Sequence, residues 1–157
     1  MDLRKEVLYS QVRVQTHKAG GSGTILYSKD TSTYVLTCHH VVDDVISVKR
    51  EWDSRLGRDR KREFRQVVNC EFFEYESVPH GHRPINYSTD ADLVAWDRDH
   101  DLALLKLRTT KSAKYVAKLP LPVDIVKLDV GSRLVAVGCA LLHDPILTEG
   151  IITHQGD

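Results

Sequence analysis

The chain has 157 residues, the size of one domain, of which 41% are hydrophobic, 28% charged and 7% aromatic. Twenty-two Lys and Arg balance 22 Asp and Glu, a net charge of zero that excludes the basic footprint of a nucleic-acid binder. No run approaches the roughly 20 apolar residues of a membrane span, and the charged start Met1-Asp2-Leu3-Arg4-Lys5-Glu6 lacks the apolar core of a secretory signal. Three scattered cysteines, Cys38, Cys70 and Cys139, make no disulfide framework. Their odd number leaves at least one free thiol, which favours a reducing, cytoplasmic compartment.

The elements expected along the chain are short strands divided by turn chemistry. Glu6 to Val14 alternates apolar and polar toward its end, as a half-buried strand does. Gly20-Gly21-Ser22-Gly23 reads as a break, after which Thr24-Ile25-Leu26-Tyr27 resumes a strand. Lys29 to Ser32 is a polar turn, and Thr33-Tyr34-Val35-Leu36-Thr37 is a strand again. Val45 to Lys49 is a short strand. The charged stretch Arg50 to Arg65 interleaves acids with bases, so a solvated hairpin loop suits it better than a nucleic-acid arm.

Val67 to Tyr75 is a long strand, and Pro79 to Pro84, with His80-Gly81-His82, is loop. Those histidines with Cys70 match no tetrahedral zinc spacing, and no metal is expected there. Ala91 to Asp97 alternates, Arg98-Asp99-His100 turns, and Leu102 to Leu107 is an almost continuously apolar strand that predicts burial on both faces. Thr109 to Val130, with Pro120 and Pro122, reads as a linker. Gly131 to Gly138 and Ile146 to Thr153 are two more strands. No window of 11 residues sustains a helical period, so the fold class is all-β, a barrel or sandwich.

A β-protein carries its chemistry at strand ends and in loops. His40 follows the Thr33–Thr37 strand, and Asp101 stands at the head of Leu102–Leu107. A carboxylate beside so apolar a run is costly unless something hydrogen-bonds it, and an imidazole N–H is a natural partner. A buried Asp orienting a His is the supporting half of an acyl-transfer triad. Cys38 and Cys139 read as bland thiols in or near the core.

Four segments now give the chain a likeness. They are Gly21-Ser22-Gly23-Thr24-Ile25, Tyr34-Val35-Leu36-Thr37-Cys38-His39-His40-Val41-Val42, Asp101-Leu102-Ala103-Leu104-Leu105-Lys106-Leu107, and Gly131 to Gly138 followed by Thr148-Glu149-Gly150-Ile151-Ile152-Thr153. In this order, from about Gly20 to Thr153, the chain resembles the trypsin-like (chymotrypsin-fold) serine peptidases, nearest the bacterial Deg/Htr-type branch. The resemblance implies a double Greek-key β-barrel, with the first barrel complete in residues 1–110, a linker over 111–130 and a partial second barrel from 131 to 157.

By position, the resemblance makes His40 the general base and Asp101 the residue that orients it. The base falls three residues after the threonine and just before Val-Val, which selects His40 over His39. The family's nucleophile, in Gly-Asp/Asn-Ser-Gly-Gly, has no counterpart before Asp157. Ser22 imitates that motif locally but matches a structural turn of the first barrel. The segment Cys139 to Asp144 departs from the family, which usually has a Pro and a second Gly there.

The function expected is therefore serine-type endopeptidase action on a polypeptide substrate, without cofactor, nucleic acid or membrane. The 157-residue chain supplies His and Asp but not Ser, and is expected to be inactive alone. An inactive trypsin-like binding module, or a cysteine peptidase of the same fold, is the alternative.

Overall fold

The computed structural model describes residues 3–125 and 128–154. Its strands are β1 Gln11–Gln15, β2 Gly20–Lys29, β3 Ser32–Thr37, β4 Ile46–Asp53, β5 Arg58–Arg65, β6 Val68–Val78, β7 Gly81–Asp97, β8 Leu102–Leu107, β9 Arg133–Gly138 and β10 Ile146–Ile151. No α-helix among the described residues exceeds four residues, so the chain is all-β as expected. Six strands form an antiparallel ring in the order β1-β2-β3-β8-β7-β6, closed because β1 pairs with both β2 and β6. Closure leaves no free edge in this sheet and gives it one interior. That interior holds Val12, Val14, Ile25, Val35, Cys70, Leu93 and Leu105, all buried.

A ring with one interior explains the first departure from the sequence reading. The apolar run Leu102–Leu107 is buried on one face only: Ala103, Leu105 and Leu107 point inward, while Leu102 is exposed and Leu104 and Lys106 are partly covered. Outside the ring, Leu36, Trp96, Leu102 and Leu104 line a shallow apolar depression.

Glycines give the second departure. Gly20–Gly23 is not a break but the first half of β2, paired residue for residue with β1, Val12 opposite Gly23 and Val14 opposite Gly21. Glycine stands there because the neighbours come too close for anything else. A Cβ on Gly23 would lie 2.6 Å from Val35 Cγ1, and one on Gly21 2.7 Å from Val41 Cγ2.

Three further segments differ from expectation. Glu6 to Ser10 is not strand: Leu8–Ser10 is one 3₁₀ turn, set by Tyr9, which stacks on Tyr75 at 4.3 Å and meets Tyr115 edge-on at 4.9 Å. The Pro79–Pro84 loop shrinks to a turn at Pro79 and His80, because Gly81 to Pro84 pair with Tyr75 to Val78. The charged stretch after Lys49 is a hairpin, but an extended ribbon rather than a loop: β4 and β5 pair from Ile46↔Arg65 to Asp53↔Arg58. Its turn holds Gly57 at φ +59°. The ribbon draws on side-chain contacts in place of a core: across the strands Lys49 lies over the Phe64 ring at 5.4 Å and Arg62 pairs with Glu51 at 3.5 Å, and along β5 Arg62 lies over the same ring at 5.3 Å.

After β8 the chain doubles back along β2, where the Ala113 N–H donates to Ser28 Oγ (2.7 Å) and the Ala117 N–H to the Ile25 carbonyl (2.8 Å). β9 and β10 then form a separate two-stranded sheet. Polar ties fasten it to the ring, an Arg13–Asp144 ion pair at 3.6 Å among them. The Cys139 N–H donates to Ser22 Oγ at 2.7 Å, and Arg13 Nη1 donates to the Leu142 carbonyl at 2.6 Å.

Candidate active site

The pairing of β3 with β8 assembles the site. The two strands run antiparallel with Thr37 opposite Ala103, so the end of one and the start of the other share a rim of the ring. The chain leaving β3 passes through Cys38 into a single helical turn, His39–Val42; the chain entering β8 passes through Asp101. Val41, Val42 and Val45 anchor the turn in the core, which leaves the His40 ring outside. Residues 61 positions apart thereby come within hydrogen-bond distance.

Asp101 holds the His segment by three bonds. Its Oδ1 accepts the His40 backbone N–H at 2.8 Å, its Oδ2 lies 2.6 Å from His40 Nδ1, and its carbonyl accepts the His39 N–H at 3.1 Å. Asp101 itself sits at φ +53°, the left-handed region that Asp tolerates better than most residues, with its N–H turned back to the Arg98 carbonyl at 3.3 Å. The His40 backbone bond first, and the His40 ring second, hold the Asp101 carboxyl below its ordinary value. A carboxylate can only accept, so His40 Nδ1 carries the proton, and in the neutral imidazole the lone pair is then on Nε2.

The structure brings His40 and Asp101 together; it does not bury them. Side-chain exposure is 70% for His40 and 47% for Asp101. The expectation of a buried Asp is corrected on this point: the carboxylate lies on the rim, where the His40 N–H groups and solvent satisfy it. His39 is buried and joins the site through its backbone.

Cys38 also departs from its reading as a bland core thiol. It is exposed, and its Sγ, a His40 ring nitrogen and an Asp101 carboxylate oxygen all lie within 4.8 Å of one another. Burial chiefly, and the Asp101 charge secondarily, push its thiol up from the ordinary value. Its spacing two residues before His40 is the sequence signal that would have flagged it. Cys139 is buried as read, with desolvation raising its thiol to about 11.

Ser22 is engaged at both ends of its residue, its hydroxyl accepting from the Cys139 N–H and its carbonyl accepting from Thr37 Oγ1 at 2.8 Å. Cys70 lies fully inside the ring, while His80 and His82 sit exposed at the tip of the β6–β7 hairpin. A second His–Asp pair, missed in the sequence, joins His100 Nδ1 to Asp97 Oδ2 at 2.7 Å. It closes a single local turn, since Asp97 Oδ1 also accepts the Asp99 and His100 backbone N–H groups, as turn-forming Asp commonly does.

A closed antiparallel ring with a His–Asp pair on its rim defines a class, and comparison with known proteins gives that class its family. The profile of the trypsin-like peptidase domain matches residues 21–157, and the chain belongs to that family. Among solved structures it is similar to Deg5, with a TM-score of 0.68 and 20% identity, covering 99% of this chain and 63% of that one. It is also similar to the apo MamO protease domain from Magnetospirillum magneticum, with a TM-score of 0.55 and 20% identity, covering 94% of this chain and 62% of that one. The chain thus spans less than two thirds of either structure's length. No curated protein sequence matches it.

Proposed function

We propose that the chain carries the general base and the orienting acid of a serine-type endopeptidase: His40 takes the proton from an attacking serine and returns it to the leaving amine, and Asp101 stabilises the imidazolium formed between those steps. The observation that carries this reading is the 2.6 Å contact of His40 Nδ1 with Asp101 Oδ2 inside a trypsin-like domain. That contact fixes the tautomer with Nε2 as acceptor, which is what proton removal from a hydroxyl requires. The open position of His40 leaves room for a polypeptide and a nucleophile to approach Nε2. In this reading residues 1–110 form the barrel that bears both groups, 111–130 the linker and 131–157 the start of the second barrel.

The test is made on the intact gene product, with unfolded casein as substrate and a fluorophosphonate probe for an activated serine. His40→Ala should abolish labelling and lower the rate of hydrolysis by about 10⁴-fold or more, and Asp101→Asn should cost about 10⁴ in kcat with KM little changed. A protein that neither labels nor cleaves is a binding module. One that cleaves, ignores the probe and is stopped by a thiol reagent in a Cys38→Ala background is a cysteine peptidase.

A further inference from the structure

From the cluster on the rim we infer that Cys38, His40 and Asp101 form a three-ligand zinc site, with a fourth position open to water. Thiolate, imidazole and carboxylate are the donor types that zinc takes, and three protein ligands with one open position is a common arrangement around it. The spacing fits. In tetrahedral zinc, ligand atoms on bonds of about 2.0–2.3 Å stand roughly 3.3–3.6 Å from one another. Here the three candidate atoms lie within 4.8 Å of one another, and His40 Nδ1 and Asp101 Oδ2 are 2.6 Å apart. Seating the ion therefore asks His40 Nδ1 and Asp101 Oδ2 to give up their hydrogen bond and part by about 1 Å, and the thiol to close by no more than about 1.5 Å.

The backbone already holds the ligands in place. The His39 N–H on the Asp101 carbonyl and the His40 N–H on Asp101 Oδ1 pin the two segments together. Oδ1 keeps the His40 backbone N–H, which orients the carboxylate from behind the metal, while Oδ2 exchanges its hydrogen bond from His40 Nδ1 for the ion. All three side chains reach solvent, so the ion needs no opening of the fold.

The atoms balance simply. The Cys38 thiol gives its proton to solvent as the S–Zn bond forms. Nδ1 ligates as its proton moves to Nε2, so the ion takes the place of the proton between His40 and Asp101. His40 thereby loses the free Nε2 lone pair, so zinc and proton transfer exclude each other at this residue. This consequence rests on the role proposed for His40; the binding site itself does not.

Cobalt(II), a spectroscopic stand-in for zinc, tests it on the whole chain under reducing conditions. The expected result is an intense visible spectrum of tetrahedral cobalt with a near-ultraviolet thiolate band, both erased by added zinc. Cys38→Ser should remove the thiolate band, and Cys38→Ala and Asp101→Ala should each weaken zinc binding at least roughly tenfold. Cys38 is exposed, so its variants should keep the circular dichroism of the parent. Zinc should also shield Cys38 from alkylation, and His40→Ala should remove that shielding. Weak octahedral cobalt spectra, or zinc affinity unchanged in Cys38→Ala, would overturn the site. Neither readout involves peptide hydrolysis, so failure of the peptidase reading leaves the zinc result standing, and the reverse.

Discussion

β8 and β10 are both six residues long and both read as apolar-rich strands, yet they end in opposite environments. In β8 the burial alternates, with Ala103, Leu105 and Leu107 sealed in the ring; in β10 every residue from Ile146 to Ile151 is exposed. The difference is the number of neighbours. β8 lies between β3 and β7 in a closed sheet, whereas β10 has β9 as its one strand partner among the described residues. Apolar residues make a strand possible, and burial comes from what lies against it. The ring therefore holds the core, and the β9–β10 sheet is attached to it by polar ties and by the Leu142 side chain against Gly20.

The largest expected effect breaks this comparison at its strongest point. Leu105→Ala should cost about 2–5 kcal/mol, the range for emptying a sealed leucine site. Leu147→Ala in β10, a strand exposed along its whole length, should cost about 1 kcal/mol or less. Urea unfolding of the two variants checks both, and equal losses would mean that the hairpin is as well packed as the ring.

Alkaline pH probes the same contrast through Cys70. Inside the ring, desolvation first and the Asp90 charge second raise its thiol to about 12 from an ordinary 9.0. The folded state therefore keeps the proton where the unfolded chain gives it up. That contribution to stability is complete below pH 9.0 and is lost progressively as pH rises toward about 12. Each pH step of one between those two values removes about 1.4 kcal/mol, so the whole loss amounts to a few kcal/mol. Cys70→Ala should flatten this decline, leaving a shallower slope from Cys139 and Tyr75, which burial chiefly raises to about 11 and about 12. An unchanged slope would place the alkaline loss outside the ring.

How much of this was legible in the sequence follows the same division. β3 and β8 were readable as strands from their apolar patterns, and His40 and Asp101 were put together through the likeness of their segments to the trypsin-like peptidases. The Gly20–Gly23 half of β2 was not legible in the residue pattern, though the family likeness has a strand there, since its glycines answer to Val35 and Val41, which lie elsewhere in the sequence. The β4–β5 ribbon was not either: with charges on both faces it shows no alternation, and only the register reveals its length. Cys38 was read as a core thiol although it stands two residues before His40, because its exposure on the rim beside Asp101 shows only once β3 pairs with β8.

The ties between the two regions come next in size. Arg13→Ala leaves the Leu142 carbonyl without its 2.6 Å donor and unpairs Glu71, and Ser22→Ala strands the Cys139 N–H. Each should cost about 1–3 kcal/mol, and each should speed hydrogen exchange in 139–142 more than in β8. Uniform acceleration across both regions would mean that the ties support the whole molecule rather than the junction.

The smallest effect should be a gain, and it lies in the junction itself. Leu141 and Leu142 stand at φ +52° and +61°, left-handed positions that a leucine adopts at a cost. They lie in Cys139–Asp144, the segment where the sequence lacks the second glycine usual in the family pattern. Leu141 is 91% exposed and gives up almost no packing when replaced, whereas the Leu142 side chain lies against Gly20, its Cδ2 2.2 Å from where a Cβ there would stand. Leu141→Asn should therefore raise stability by about 0.5–1 kcal/mol, because asparagine accepts the left-handed region more readily and keeps more backbone restraint in the unfolded chain than glycine. Leu142→Asn should gain less or lose, since the same relief of strain is offset by lost contact with β2. Thermal unfolding of the two variants separates backbone strain from packing. Equal gains would show that the contact of Leu142 with Gly20 contributes nothing to holding the hairpin on the ring.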